Sequence, residues 1–183
     1  NASSTILRLA DGANCNVIEN EDLLEGNVNI LLTNFKIDGN DANNTGTCHG
    51  IYFSIVTYSK IKNVWVYDVE DDGIFLNNYS DYNVISKNTI ESVGSEGINL
   101  DNYSQYNIIS ENLIIDPHGS GGVMVGYPGS HSNKIIGNTI ISPDHGIFVD
   151  DYVKNTLVAN NYIKDCTYGG IQVKVGNTGT VIS

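Results

Sequence analysis

The sequence predicts an all-β fold, a parallel β-helix solenoid of about seven rungs with about 24 residues per turn. Three observations carry that prediction. Six Gly-plus-aliphatic tetrads recur down the chain: GIYF at 50–53, GIFL at 73–76, GINL at 97–100, GVMV at 122–125, GIFV at 146–149 and GIQV at 170–173. Their glycines are separated by 23, 24, 25, 24 and 24 residues. Within each tetrad apolar and outward positions alternate with period two, the signature of a half-buried strand. A second register runs in phase with the first: Asn63, Asn88, Asn112, Asn138 and Asn161, with Asn34 as an earlier member.

Each element follows from these registers. Ile51, Ile74, Ile98, Val123, Ile147 and Ile171 form one inward column, and Phe53, Leu76, Leu100, Val125, Val149 and Val173 the next. No segment carries an apolar stripe at helical spacing, and the fixed leucines of a leucine-rich repeat are missing. A turn of this length holds about three short strands and three corners, and its rungs stack about 4.8 Å apart. The Asn register suits a corner. Asn tolerates left-handed backbone, and stacked amides bond from rung to rung. The segment GNDANNTGTCH at 39–49 interrupts the repeat and reads as a loop leaving the coil.

The string NxIxxN followed by GIxL, with the entry segment NILLTNFKIDGN at 29–40, resembles the right-handed β-helix repeats of the pectin-lyase-like superfamily. The resemblance covers about residues 5–183 and implies a right-handed coil. That superfamily includes pectate lyases, polygalacturonases, alginate lyases and epimerases, phage tailspikes and surface proteins without known chemistry, so the shared fold leaves the activity open.

Composition bounds the rest. The 183 residues are 40% hydrophobic, enough for one continuous core, and no linker or low-complexity tract divides 1–183, so a single β-helix domain is expected. Net charge is −12, with eight Lys and one Arg, Arg8. Such a chain lacks the cationic clusters that nucleic acid or an anionic membrane requires. No stretch is apolar enough to span a bilayer. The chain begins at Asn1 rather than Met, which fits a processed product or a segment of a longer solenoid. Acidity with β-helix repeats suits an extracellular or cell-surface protein. Uncapped strand edges would favour end-to-end self-association. Cys15, Cys48 and Cys166 show no CxxC pattern. They read as buried thiols, with a Cys15–Cys48 bridge as the alternative. Sequons stand at Asn1, Asn43, Asn78 and Asn102, the last two at the same place in successive rungs.

Chemistry is expected on the outward side of the tetrad strands, where the superfamily commonly lays its sugar chains. The residues before the glycines are His49, Asp72, Glu96, Gly121, His145 and Gly169. The middle outward residues are Tyr52, Phe75, Asn99, Met124, Phe148 and Gln172. Those after the tetrads are Ser54, Asn77, Asp101, Gly126, Asp150 and Lys174. Exposed Phe75, Met124 and Phe148 would form an apolar strip for pyranose faces, with Tyr52, Asn99, Asp101 and Asp150 beside them, unless a loop or second subunit covers it. Asp72 and Glu96, on adjacent rungs, are candidates for a general acid and base on a glycosidic bond, one with a raised pKa. The string Asp71-Asp72-Gly73 resembles the paired-Asp element of polygalacturonases, but that family's Arg-x-Lys element is missing. The Arg base of pectate lyases is missing too. Asp116-Pro117-His118 resembles the Asp-Pro-His string of mannuronan C5-epimerases, which makes Asp116 and His118 candidates for epimerase or lyase chemistry. The preceding Tyr-Gly of that family is replaced by Ile114-Ile115. No cofactor is implied except Ca²⁺, which the pairs Asn77-Asn78, Asp101-Asn102 and Asp150-Asp151 would suit. Gly126-Tyr127 interrupts that row, and Asx turns are the alternative. Tyr79, Tyr103 and Tyr152 line up as a packing ladder.

Two functional classes follow. The chain is a surface module that recognises polysaccharide or builds a fibre, or it is a polysaccharide lyase, epimerase or hydrolase. The incomplete catalytic sets favour the module.

Overall fold

The computed structural model describes residues 5–126 and 128–183. Asn1 and Tyr127 lie outside that range. The described residues coil into three seven-stranded parallel sheets. The tetrad sheet includes Ile51–Ser54, Ile74–Asn77, Ile98–Leu100, Val123–Val125 and His145–Val149. A second sheet includes Val84–Ser86 and Ile108–Ser110, and a third includes Trp65–Val69, Thr89–Val93 and Leu113–Pro117. The chain visits the three in that order on every turn. Six tetrads bound five complete turns, and partial turns at either end bring each sheet to seven strands, so the expected seven rungs include incomplete ones.

The register is the predicted one. Ile74 pairs with Ile51 and Ile98, and Leu76 pairs with Phe53 and Leu100. These columns join Val66, Ile90, Ile114 and Ile140 of the third sheet and Ile85, Ile109 and Ile135 of the second in one continuous core. Ile51, Ile74, Ile98, Val123 and Ile147 are fully buried, whereas in the last rung the expected inward residues Ile171 and Val173 are half-buried and exposed because no further rung covers them among the described residues. The tetrad glycines are set by close packing. A Cβ on Gly97 would lie 2.5 Å from Ile114 Cγ2 and 2.6 Å from the Gly122 carbonyl oxygen.

The corner between the second and third sheets corrects the expected Asn register. Val64, Asn88, Asn112, Asn138 and Asn161 share the ladder position, while Asn34 and Asn63 stand one place ahead in left-handed backbone, with Lys87 and Glu111. Two consecutive Asn roles were merged in one spacing: the residue at the left-handed corner and the one just after it, whose amide turns inward. The inward ladder is dense. Asn112 Nδ2 donates to Ile85 O and to Asn138 Oδ1, both at 3.0 Å, and its own N–H donates to the same Oδ1. In turn Asn112 Oδ1 accepts from Asn88 N–H and Nδ2.

A second inward ladder, which the sequence reading missed, occupies the corner between the tetrad and second sheets. The main-chain N–H groups of Ser59, Asn83 and Asn107 donate to the Oδ1 atoms of Asn83, Asn107 and Asn133. The residue before each is again left-handed, and three of these are Tyr58, Tyr82 and Tyr106. Their rings stack at 5.1 and 4.9 Å. Tyr79 and Tyr103 stack at 5.0 Å as expected of a packing ladder.

The segment at 39–49 does not simply leave the coil. It holds a short 3-10 turn at Asp41–Asn43 and is fastened to residues 8–16, with Asn40 Nδ2 donating to Leu9 O and Asp11 Oδ1. Cys15 is exposed, Cys48 buried and Cys166 half-buried, and all three are free thiols, which corrects the expectation of three buried ones.

Candidate functional site

The tetrad sheet presents three outward columns, held in register by its ladder. Tyr52, Phe75, Asn99, Met124 and Phe148 pair one above the other. The aromatic end is compact. The His49 ring stacks on Tyr52 at 5.5 Å and meets the Phe75 edge at 5.0 Å, and Tyr52 and Phe75 meet at 5.5 Å. Asn77 Nδ2 donates to the Tyr52 hydroxyl. Tyr52, Phe75 and Met124 are half-exposed. Phe148 and Asn99 are not exposed as expected, with relative accessibilities of 7% and 8%. Phe148 is enclosed by the His145 ring at 5.5 Å and by the Lys174 amine, 4.8 Å from its centroid. The glycine at 121 leaves room for its Cβ, which would stand 3.2 Å from a Cβ added there.

Asp72 and Glu96 do meet, and both are buried. Glu96 N–H donates to Asp72 Oδ1 at 2.9 Å, and Asn99 Nδ2 donates to Asp72 Oδ2 at 3.2 Å. Glu96 Oε1 accepts the Ser120 N–H at 2.9 Å, and Oε2 accepts the Ser95 hydroxyl. Burial, then the hydrogen bond and charge of Glu96, push the Asp72 carboxyl up to about 8. Asp72 therefore holds its proton at neutral pH. His49 is pushed down by burial, opposed by Asp71. Its Nδ1 accepts the Asp72 N–H at 3.3 Å, so the neutral ring carries its proton on Nε2. A protonated Asp72 and a neutral His49 are mutually consistent, since neither then carries a charge where Nδ1 and Asp72 Oδ2 lie 3.6 Å apart. Asn99 Oδ1 is buried without a hydrogen-bond partner.

His49, Asp71 and Asp72 each put one ligand atom within 4.8 Å of the others, the one such trio among the described residues. The trio is not a sequence motif, because His49 lies one rung away from Asp71 and Asp72 and only the stacking of rungs brings them together. The Nδ1 lone pair is already engaged by main chain, so a metal there would displace that bond. The acidic positions weighed for Ca²⁺ are engaged as well. Asp101 Oδ1 accepts the Asn102 N–H, Asp150 pairs with Lys174 at 3.0 Å, and Asp151 Oδ1 accepts the Val175 N–H. Asp101 is held above the ordinary carboxylate range by burial.

Asp116 and His118 lie elsewhere, at the end of Leu113–Pro117 in the third sheet. Asp116 has φ 53, like Asp68 and Ser92 in the rungs before it, so it is a repeated left-handed corner. Pro117 pairs with Val93 and takes that residue's buried place. The two side chains are exposed and 3.8 Å apart. The Asp-Pro-His string thus has a structural explanation in the repeat.

The sequons are equally entangled with the fold. Ser80 and Ser104 are fully buried. Asn78 Nδ2 donates to Ser54 Oγ, and Asn102 Nδ2 donates to Asn77 Oδ1. Asn43 is exposed, with Nδ2 donating to Asn40 Oδ1.

A family model described as a right-handed β-helix region matches residues 49–183. Among solved structures, the chain is similar to the A-module of Azotobacter vinelandii mannuronan C-5 epimerase AlgE4. The TM-score is 0.54 and the identity 17%, over 91% of this chain and 55% of that one. The A-module of AlgE6 from the same organism matches at TM-score 0.38 and 12% identity, over 98% of this chain and 81% of that one. The chain thus spans about half the length of the AlgE4 module. No curated protein matches it in sequence. With its repeats, its three parallel sheets and the matched residues, the chain belongs to the right-handed β-helix family.

Proposed function

We propose that this protein is an extracellular or cell-surface module that recognises polysaccharide, with the sugar chain lying along the outward side of the tetrad sheet. The observation that carries the reading is the half-exposed pair Tyr52 and Phe75, set beside Asn77 and Asp101 at the edge of the tetrad strands. Aromatic rings offer an apolar surface to the C–H side of a pyranose, and the amide and carboxylate accept its hydroxyls. The carboxyl pair Asp72 and Glu96 is a poor catalytic dyad in this geometry. Both groups are buried, and their oxygens are engaged by the Glu96 and Ser120 N–H groups and the Asn99 amide.

A second reading, a polysaccharide-acting enzyme, has one observation in its favour. Asp72 keeps its proton near neutral pH, as a general acid must. The fold likeness to an epimerase module is compatible with either reading. The test is a panel of polymannuronate, polygalacturonate and a neutral β-glucan, with and without Ca²⁺. Binding is followed by calorimetry and turnover by proton NMR and ultraviolet absorbance of unsaturated ends. The recognition reading expects saturable binding and an unchanged polymer. Epimerised or unsaturated product would replace it with the enzymatic reading. At net charge −12 the chain repels uronates, so any affinity for them should rise with salt.

A further inference from the structure

Two of the three thiols, Cys15 and Cys48, lie on adjacent rungs where the first turn meets the 39–49 segment. Residues 12–18 run beside 43–51. Gly12 N–H donates to Asn43 O at 2.8 Å, Thr45 N–H to Asn14 Oδ1 at 2.8 Å, and His49 N–H to Asn16 Oδ1 at 2.9 Å. Val17 N–H donates to His49 O, and Ile18 pairs with Ile51. The contacts join residues 31 apart at Asn14 and 33 apart from Asn16 onward, so Cys15 lies opposite the short stretch 46–48 that ends in Cys48, between bonded neighbours on both sides. Stacked rungs are about 4.8 Å apart, inside the Cα separation of about 4.4–6.8 Å that a disulfide spans.

We infer that Cys15 and Cys48 are a modification site, a dithiol that a small disulfide such as glutathione disulfide oxidises to a bridge between the first two rungs. The order of events follows exposure. Cys15 is open to solvent and Cys48 is buried, with its thiol pushed up by burial and by Glu70, Cys15 and Asp71. The Cys15 thiolate attacks glutathione disulfide, forms a mixed disulfide and releases one glutathione. Cys48 then gives up its proton, attacks the Cys15 sulfur and expels the second glutathione. Two thiols are oxidised and one disulfide is reduced to two thiols. The bridge would fasten the 39–49 segment where its last residue enters the candidate site, since His49 follows Cys48 and the Cys48 carbonyl accepts the Asp71 N–H. Cys166 has no partner thiol among the described residues and serves as an internal control.

The test uses the whole chain, incubated in excess glutathione disulfide, alkylated and mapped by mass spectrometry. The wild type should lose two hydrogens and yield a linked Cys15–Cys48 peptide pair. Cys48→Ala should stop at a glutathione adduct on Cys15, and Cys15→Ser should leave Cys48 reduced. The bridged form should melt about 10 °C higher, because a loop of this length is closed in the unfolded chain. A wild type that stops at the adduct, stays reduced or links through Cys166 overturns the inference, and so does a bridged form that melts no higher.

Discussion

Replacing Asp72 with Asn isolates the cost of the buried carboxyl pair. In the folded protein Asp72 holds its proton up to a pH of about 8, while in the unfolded chain it releases it near 3.8. Between those values the folded state binds more protons than the unfolded one, so stability falls as pH rises. The contribution is fully present below 3.8 and is lost by about 8. Each pH unit between 3.8 and 7 removes about 1.4 kcal/mol, so at pH 7 the wild type forgoes up to about 4 kcal/mol. An Asn at this position keeps the acceptor for the Glu96 N–H and supplies a donor toward Glu96. The Asn99 amide, whose Nδ2 now donates to Asp72 Oδ2, can turn over and offer its unpartnered Oδ1 instead. Asp72→Asn should therefore raise the melting temperature at pH 7 by about 10 °C. At pH 4 the gain should be close to nothing. Thermal unfolding of both proteins from pH 4 to 9 is the assay. A variant less stable than wild type at pH 7, or an equal gain at pH 4 and pH 7, would refute the account of a buried, protonated Asp72.

Other substitutions probe the coil. Ile98→Asp places a charge in a fully buried column and should abolish cooperative folding, visible as loss of the thermal transition. Asn112→Ala leaves the Asn88 N–H and the Ile85 carbonyl unmatched inside the coil and should cost about 2–4 kcal/mol in urea unfolding. Gly97→Ala drives a methyl into Ile114 and the Gly122 carbonyl, so a loss of at least about 2 kcal/mol is expected by the same measurement.

The coil was legible because its repeat is covalent. The alternation in GIFL and GINL, once spaced by 24 residues, leaves one way to pair Ile74 with Ile98, and the ladder follows. Corners were harder. Asn63 and Asn88 look alike in sequence, yet one adopts left-handed backbone and the other bonds inward, and a one-residue offset separates those roles. The Asn83, Asn107 and Asn133 ladder is hard to read because its first rung carries Ser59 and its spacing widens from 24 to 26 residues between Asn107 and Asn133. Site residues were legible as columns but not as states. The alternation places Phe75, Asn99 and Phe148 in the outward column, but outward does not mean exposed, and Asp72 and Glu96, just ahead of the tetrads, are buried as well. His145 and Lys174 close over Phe148, and the Asp72–Glu96 pair turns its oxygens to neighbouring main chain. Side-chain lean between rungs decides this, and a single sequence does not encode it in any spacing.

The most direct measurement is the affinity of the tetrad face for polysaccharide, taken by calorimetry with the wild type, Tyr52→Ala/Phe75→Ala and Trp65→Ala. The double variant removes the half-exposed aromatic pair, while Trp65 belongs to the third sheet and reports on non-specific aromatic contact. Recognition along the tetrad face predicts saturable binding of polymannuronate, polygalacturonate or β-glucan by the wild type. It also predicts a loss of at least tenfold in the double variant, about 1.4 kcal/mol, and unchanged affinity in Trp65→Ala. No binding to any of the three polymers, or equal affinity in wild type and double variant, would contradict it.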